Sequence, residues 1–206
     1  MKIKVCGMRE AENIKELAAL GPDFMGFIFY EKSPRFFDGE IPDLPNEIHK
    51  VGVFVDAPLG FVLQQSEKHG LDVVQLHGKE DQQYISLLGE LLGDSARIWK
   101  VFSVGEKFNF KKIAAFEGLV DAYLFDTKGK APGGNGTTFD WKLLNGYNYQ
   151  TQIIVSGGIG LEELPEVKEL LKSNLPIMAI DVNSRFEQAP GLKKIDELKT
   201  LLNYEL

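Results

Sequence analysis

The chain has 206 residues, a formal net charge of −7, 44% apolar and 26% charged side chains, and one cysteine. That length suits one domain with a sizeable core, the composition argues against disorder, and a lone cysteine excludes a disulfide-framed fold. No apolar run reaches the roughly 18 residues of a membrane span, the opening MKIKVCGMRE carries no signal-peptide stretch, and the acidic balance lacks the basic footprint of a nucleic-acid binder, so a reduced, cytoplasmic domain acting on a small molecule is expected.

Short β-branched or aromatic runs alternate with amphipathic stretches along the chain. The first run, residues 2–6, predicts a strand ending at Cys6-Gly7. Residues 11–20 follow as a helix, because Ile14, Leu17 and Ala18 recur at three- and four-residue steps. A strand over 24–29 leads into 30–47 (YEKSPRFFDGEIPDLPNE), where proline and charge leave room for a short helix only. Strand 50–55 is followed by helix 58–69, strand 73–77 by helix 81–91, and strands 97–102 and 120–126 come next. Strand 152–156 precedes helix 161–171, and strand 177–181 precedes helix 192–202. Several strands, such as Val51 to Val55 and Ile153 to Val155, are apolar throughout, as expected when both faces are covered.

Eight strands alternating with helices imply a parallel sheet of βα units, and eight is the number that closes a (β/α)8 barrel. We therefore expect a single α/β domain, residues 1–206, folded as a TIM barrel; an open doubly wound sheet usually needs fewer strands. The Gly-rich excursion 128–138 lies inside the alternation and reads as an active-site loop rather than a linker.

In such a barrel the strand C-terminal ends carry the chemistry. Cys6 ends the first strand, and a lone cysteine is most often a small buried hydrophobe. Lys4 shares its face, however, and an ammonium beneath the thiol favours a thiolate that can act as nucleophile or base. Asp126 ends the sixth strand, either as a loop cap or, across the mouth from Cys6, as an acid that keeps its proton in a partly apolar site. Arg35 offers a planar fork suited to a carboxylate, or is a solvated loop charge. His77 is a hydroxyl-orienting group or a satisfied strand-end histidine, and Asp181 is the polar residue that ends the eighth strand. Ser156-Gly157-Gly158-Ile159-Gly160 is a tight turn or a phosphate cradle, completed in the second case by Asn183, Ser184 and Arg185 after the eighth strand. Three scattered histidines and no Cys/His cluster give no metal site, and neither a dinucleotide fingerprint nor a Walker loop is present, so no nucleotide cofactor is expected.

Lys4-Val5-Cys6-Gly7-Met8-Arg9 resembles the opening signature of the phosphoribosylanthranilate isomerase family. So do Gly26-Phe27-Ile28-Phe29 with Ser33-Pro34-Arg35, Val51-Gly52-Val53-Phe54-Val55, and Val74-Gln75-Leu76-His77-Gly78. Later segments are similar too: Phe125-Asp126, Gly133-Gly134-Asn135-Gly136-Thr137-Thr138-Phe139-Asp140-Trp141, Ser156-Gly157-Gly158-Ile159, and Ser184-Arg185-Phe186-Glu187 leading to Pro190-Gly191. The matches run in order over nearly the whole chain. The resemblance implies a (β/α)8 barrel, an Amadori rearrangement of an anthranilate aminoaldose in tryptophan biosynthesis, and no cofactor or metal. It also implies Cys6 as general base, Asp126 as general acid, Arg35 on the anthranilate carboxylate, and the 157–160 and 183–185 loops on the phosphate. The partner is then a phosphorylated small molecule, with no nucleic acid or membrane, and the chain acts as a monomer or homodimer. Two positions depart from the pattern: Arg185 stands where many members have glycine, and Ser156 where a small apolar residue is frequent, the latter read as harmless.

Three rival readings are distinguishable. A histidine-pathway isomerase would pair two aspartates, and Cys6 stands where the first would be. An indole-glycerol-phosphate synthase would need a lysine–glutamate pair and an extra N-terminal segment. A non-catalytic phosphate-ligand binder would need neither Cys6 nor Asp126.

Overall fold

A computed structural model of the chain describes residues 1–105, 108–127 and 140–206. Eight parallel strands close in sequence order: β1 (Lys2–Val5), β2 (Phe24–Ile28), β3 (His49–Phe54), β4 (Val73–Leu76), β5 (Arg97–Val104), β6 (Ala122–Thr127), β7 (Gln152–Val155) and β8 (Ile177–Val182). β1 pairs with both β2 and β8, so none of these eight strands is left as an edge. The outer layer contains α1 (Ala11–Ala18) after β1, α2 (Leu59–His69) after β3, α3 (Gln82–Leu92) after β4, α4 (Leu164–Leu170) after β7, and α5 (Ile195–Leu202) after β8. This is the expected (β/α)8 barrel.

Among the described residues, three crossovers show no α-helix. The short helix expected within 30–47 is absent: the segment runs as turns, with Phe36 bridging to Ile28. Pro34, Pro42 and Pro45 each remove a backbone donor there and restrict the residue before them. Behind β5 stand short 3₁₀ turns at Phe110–Lys112 and Ala114–Phe116, and behind β6 a two-turn 3₁₀ helix at Trp141–Gly146. α4 starts later than its apolar period suggests, because Leu161 to Glu163 form a turn and Pro165 fits the first helical turn. α5 is also shorter at its start: Leu192 and Lys193 belong to β10 (Leu192–Lys193), which pairs antiparallel with β9 (Glu187–Ala189).

One recurring device fixes strand pairs at the closed end of the barrel. Asp23, just before β2, accepts the amide of Ile3 at the start of β1 (2.8 Å). Asp72, before β4, accepts the amide of Lys50 in β3 (2.7 Å), and Asp121, before β6, accepts that of Ile98 in β5 (2.8 Å). The barrel interior is filled at this end by Phe24, Val51, Val73, Trp99, Ala122 and Ala179, with Phe24 and Trp99 meeting edge to face at 5.0 Å. Going up the strands, the inward residues change from this apolar plug to Lys4, Gln75 and Asp181, and then to Cys6, His77 and Asp126. Alternation along each strand, with a step of two residues, places them so.

Candidate active site

Cys6, His77, Asp126, Gly158, Asp181 and Arg185 line one pocket at the C-terminal mouth, together with Gly157, Ile159, Asn183 and Ser184. The sequence-predicted set thus converges from β1, β4, β6, β7 and β8. Arg35 and Gly160 are not part of this lining, and the 128–138 loop lies outside the described residues.

Glycine makes room for the thiol. A Cβ on Gly26 would come within 2.8 Å of Cys6 Sγ and 3.1 Å of its Cα. Gly7 turns the chain away with a φ of 76°, where a side chain would be strained and would also strike Arg35 and Asn183. Below Cys6, the fully buried Lys4 ammonium is 2.7 Å from Asp181 Oδ1. Lys4 pulls the thiol towards thiolate as expected from the sequence, but burial outweighs it, and Asp181 adds to burial. The Cys6 pKa is therefore raised rather than lowered.

Asp126 and His77 respond to the same burial in opposite senses. Burial, then the charge of Asp181, pushes Asp126 up to about 6, against the hydrogen bond it accepts from its neighbour's amide, Thr127 N (2.9 Å). Burial pushes His77 down to about 4, so its ring is neutral where Nε2 lies 3.7 Å from Asp126 Oδ2. Asp181 has one oxygen on Lys4 and accepts a hydrogen bond from Ser156 Oγ on the other (3.0 Å). Ser156, read from the sequence as a harmless replacement, is thus part of the network under the site.

The turn after β7 has the geometry of an anion cradle. Gly157 and Gly158 hold φ values of 92° and 69°, and a Cβ on Gly157 would collide with Thr127. The amides of Gly158 and Ile159 donate to no described residue. The Gly160 amide differs: it donates to Glu163 Oε2 at 2.8 Å. Arg185 is held over the same turn, with Nη2 3.0 Å from Glu163 Oε1 and Nε donating to Gly158 O at 3.3 Å.

Arg35 is buried and already forked. Its Nε and Nη2 engage both oxygens of Glu187, the shortest contact being 2.6 Å. Glu187 also receives Lys193 Nζ at 2.7 Å, and that ammonium donates to Asn183 Oδ1 at 2.7 Å. Sequence reasoning did not single out Lys193 or Gln75. Gln75 is buried in the pocket lining and its Oε1 accepts from nothing described. It stands two residues before His77, so strand alternation alone could have placed it there; for Lys193, beyond the last barrel strand, no local signal exists. Among the described residues no helix is long and apolar enough to cross a membrane, and no group of three or more His, Cys, Asp or Glu is placed to hold a metal ion.

A family model described as N-(5'phosphoribosyl)anthranilate (PRA) isomerase matches residues 3–204. An N-(5'-phosphoribosyl)anthranilate isomerase of Parabacteroides distasonis is 40% identical over 98% of this chain and 92% of its own. The protein of that name from Phocaeicola vulgatus is 37% identical over 98% and 97%. Among solved structures, the phosphoribosyl anthranilate isomerase of Thermus thermophilus matches with a TM-score of 0.81 at 30% identity, covering 98% of this chain and 96% of its own. Another, solved in complex with reduced 1-(o-carboxyphenylamino)-1-deoxyribulose 5-phosphate, matches with a TM-score of 0.73 at 26% identity over 98% and 96%.

Proposed function

The chain belongs to the N-(5'-phosphoribosyl)anthranilate isomerase family, and on that premise we propose how its residues divide the work. The reaction is the Amadori rearrangement of N-(5'-phosphoribosyl)anthranilate, an aminoaldose, to 1-(2-carboxyphenylamino)-1-deoxyribulose 5-phosphate, in tryptophan biosynthesis. Protonated Asp126 donates to the ribose ring oxygen as the C1'–O bond breaks, and the anilino nitrogen lone pair forms the iminium. Cys6 thiolate removes the C2' proton, and the electrons left behind neutralise the iminium as an enolamine. Loss of the enol proton and protonation at C1' give the ketone, so reactant and product are isomers. Acid and base steps of this kind each contribute roughly 10²–10⁴-fold.

The observation carrying this reading is the pairing across one pocket of a thiol over a buried lysine with a carboxyl whose pKa burial raises to about 6. A carboxyl so placed retains a proton-donating share near neutrality. The Gly157, Gly158 and Ile159 turn, with Asn183, Ser184 and Arg185, takes the phosphate; Gly160, whose amide serves Glu163, shapes the turn. Arg35 takes the anthranilate carboxylate, and the two anionic grips stretch the ribose between Cys6 and Asp126. His77, neutral, and Asp181 orient sugar hydroxyls. The chain works as one barrel domain, alone or as a homodimer, in the cytoplasm.

Mixing the chain with N-(5'-phosphoribosyl)anthranilate and following the loss of its fluorescence, with the product identified by mass and by its ketone, tests the assignment. Catalytic turnover to the aminoketose is expected. Stoichiometric binding without conversion would make this a phosphate-ligand binder.

A further inference from the structure

Arg35 stands outside the pocket lining with half of its fork already engaged. Glu187 takes the Nε and Nη2 edge in a side-on pair, with contacts of 2.9, 3.0 and 2.6 Å. Nη1 donates to no described residue. The loop carrying Arg35 is fixed as well, since the Arg35 amide donates to Ser33 Oγ at 3.1 Å and Ser33 lines the pocket. A guanidinium held by one edge cannot rotate, so its remaining edge has a fixed direction.

Glu187 is itself pinned from two further sides. Lys193 Nζ lies 2.7 Å from its Oε1, and the amide of Gly191 donates to the same oxygen at 3.2 Å. Burial disfavours the Glu187 carboxylate, yet Arg35 and Lys193 more than compensate and hold its pKa below the usual range. Two buried cations around one buried anion leave the cluster one positive charge in excess. An uncompensated buried charge is costly, and an incoming carboxylate relieves that cost. Lys193 also grips Asn183, which lines the pocket, so one ammonium ties the carboxylate end of the site to the loop after β8.

We infer that Glu187, locked by Lys193, is a positioning residue that aims the free edge of Arg35 at the substrate carboxylate and so sets selectivity for an ortho-carboxylated aryl amine. This deepens the proposed function and rests on its reading of Arg35.

The test compares kcat and KM for N-(5'-phosphoribosyl)anthranilate with those for the phosphoribosyl adduct of aniline, which lacks the carboxylate. The ratio of the two kcat/KM values is the selectivity. For Glu187→Gln that ratio is expected to fall about tenfold, with the loss in KM for the carboxylated substrate. Glu187→Asp, which keeps the charge but shortens the arm, should recover part of it. Arg35→Ala is the control for the underlying reading: if it leaves selectivity unchanged, Arg35 does not grip the carboxylate and the proposed role of that residue fails. If Arg35→Ala collapses selectivity while Glu187→Gln preserves it, or lowers kcat equally on both substrates, the inference about Glu187 is overturned and the proposed function stands. Should Glu187→Gln not fold, the double variant Glu187→Gln with Lys193→Met removes opposite charges together, and the same ratio decides.

Discussion

Asp126 and His77 occupy the same mouth and are shifted towards their neutral forms by the same cause. Burial raises Asp126 to about 6 and lowers His77 to about 4. Burial also raises Cys6 despite Lys4. At neutral pH most molecules therefore hold the proposed base protonated and the proposed acid ionised. The reacting form, with the proton on Asp126 and the charge on Cys6, is a minority whose share stays constant between the two titrations. kcat/KM is thus expected to stay level from about pH 6 through neutrality until the thiol titrates. A decline beginning at pH 6 would place the thiol lower than its burial allows. Stability carries the same signature. A carboxyl whose folded pKa is raised binds more protons folded than unfolded between its two values, so the stability it contributes is complete at low pH and is lost as pH rises through about 6. Asp126→Asn removes that dependence. Urea unfolding of the two proteins should show the variant gaining on the parent by on the order of 3 kcal/mol between about pH 4 and pH 7; a pH-independent difference would contradict the burial account.

At the scale of elements, strand pairs are set by side chains as well as by the ladder. Asp23, Asp72 and Asp121 each accept a backbone amide at the start of the neighbouring strand. Asp121→Ala leaves the Ile98 amide without its charged acceptor and is expected to cost about 1–3 kcal/mol by chemical unfolding, with Asp121→Asn retaining most of the stability. Equal stability for both variants would show that the aspartates are solvated rather than clamping. Most strands were legible in the sequence because β-branched runs ending at turn residues leave little ambiguity. Helices were legible where apolar residues recur regularly, as at Ile14 and Leu17. What the sequence obscured was decided by backbone donors and tertiary pairing. Three prolines between Pro34 and Pro45 prevent a helix after β2, and the pairing of Lys193 with Glu187 in the β9–β10 ribbon shortens α5.

For the molecule as a whole, barrel closure and the candidate site share one seam. β1 and β8 meet with Lys4 beside Asp181 in register, and the 2.7 Å ion pair of these residues lies directly under Cys6. Lys4→Met leaves the buried Asp181 carboxylate without its cation and is expected to cost about 3–5 kcal/mol of stability, recovered in large part by adding Asp181→Asn, both read by urea unfolding. If the double variant is no more stable than the single, the pair does not carry the seam. The candidate site was legible to the extent that polar residues at strand ends converge on one pocket, as Cys6, His77, Asp126 and Asp181 do. Glu187 appeared only as part of a motif and Lys193 not at all, because their importance arises from a ribbon that folds back on Arg35 from 150 residues away along the chain, as the separation of 152 in the Arg35–Glu187 bond records. The most direct test of the central claim is the turnover of Cys6→Ala and Asp126→Asn on N-(5'-phosphoribosyl)anthranilate. Each is expected to lose roughly 10²–10⁴-fold in kcat while remaining folded. Turnover within a few-fold of the parent in both would contradict an acid and a base facing each other across the barrel mouth.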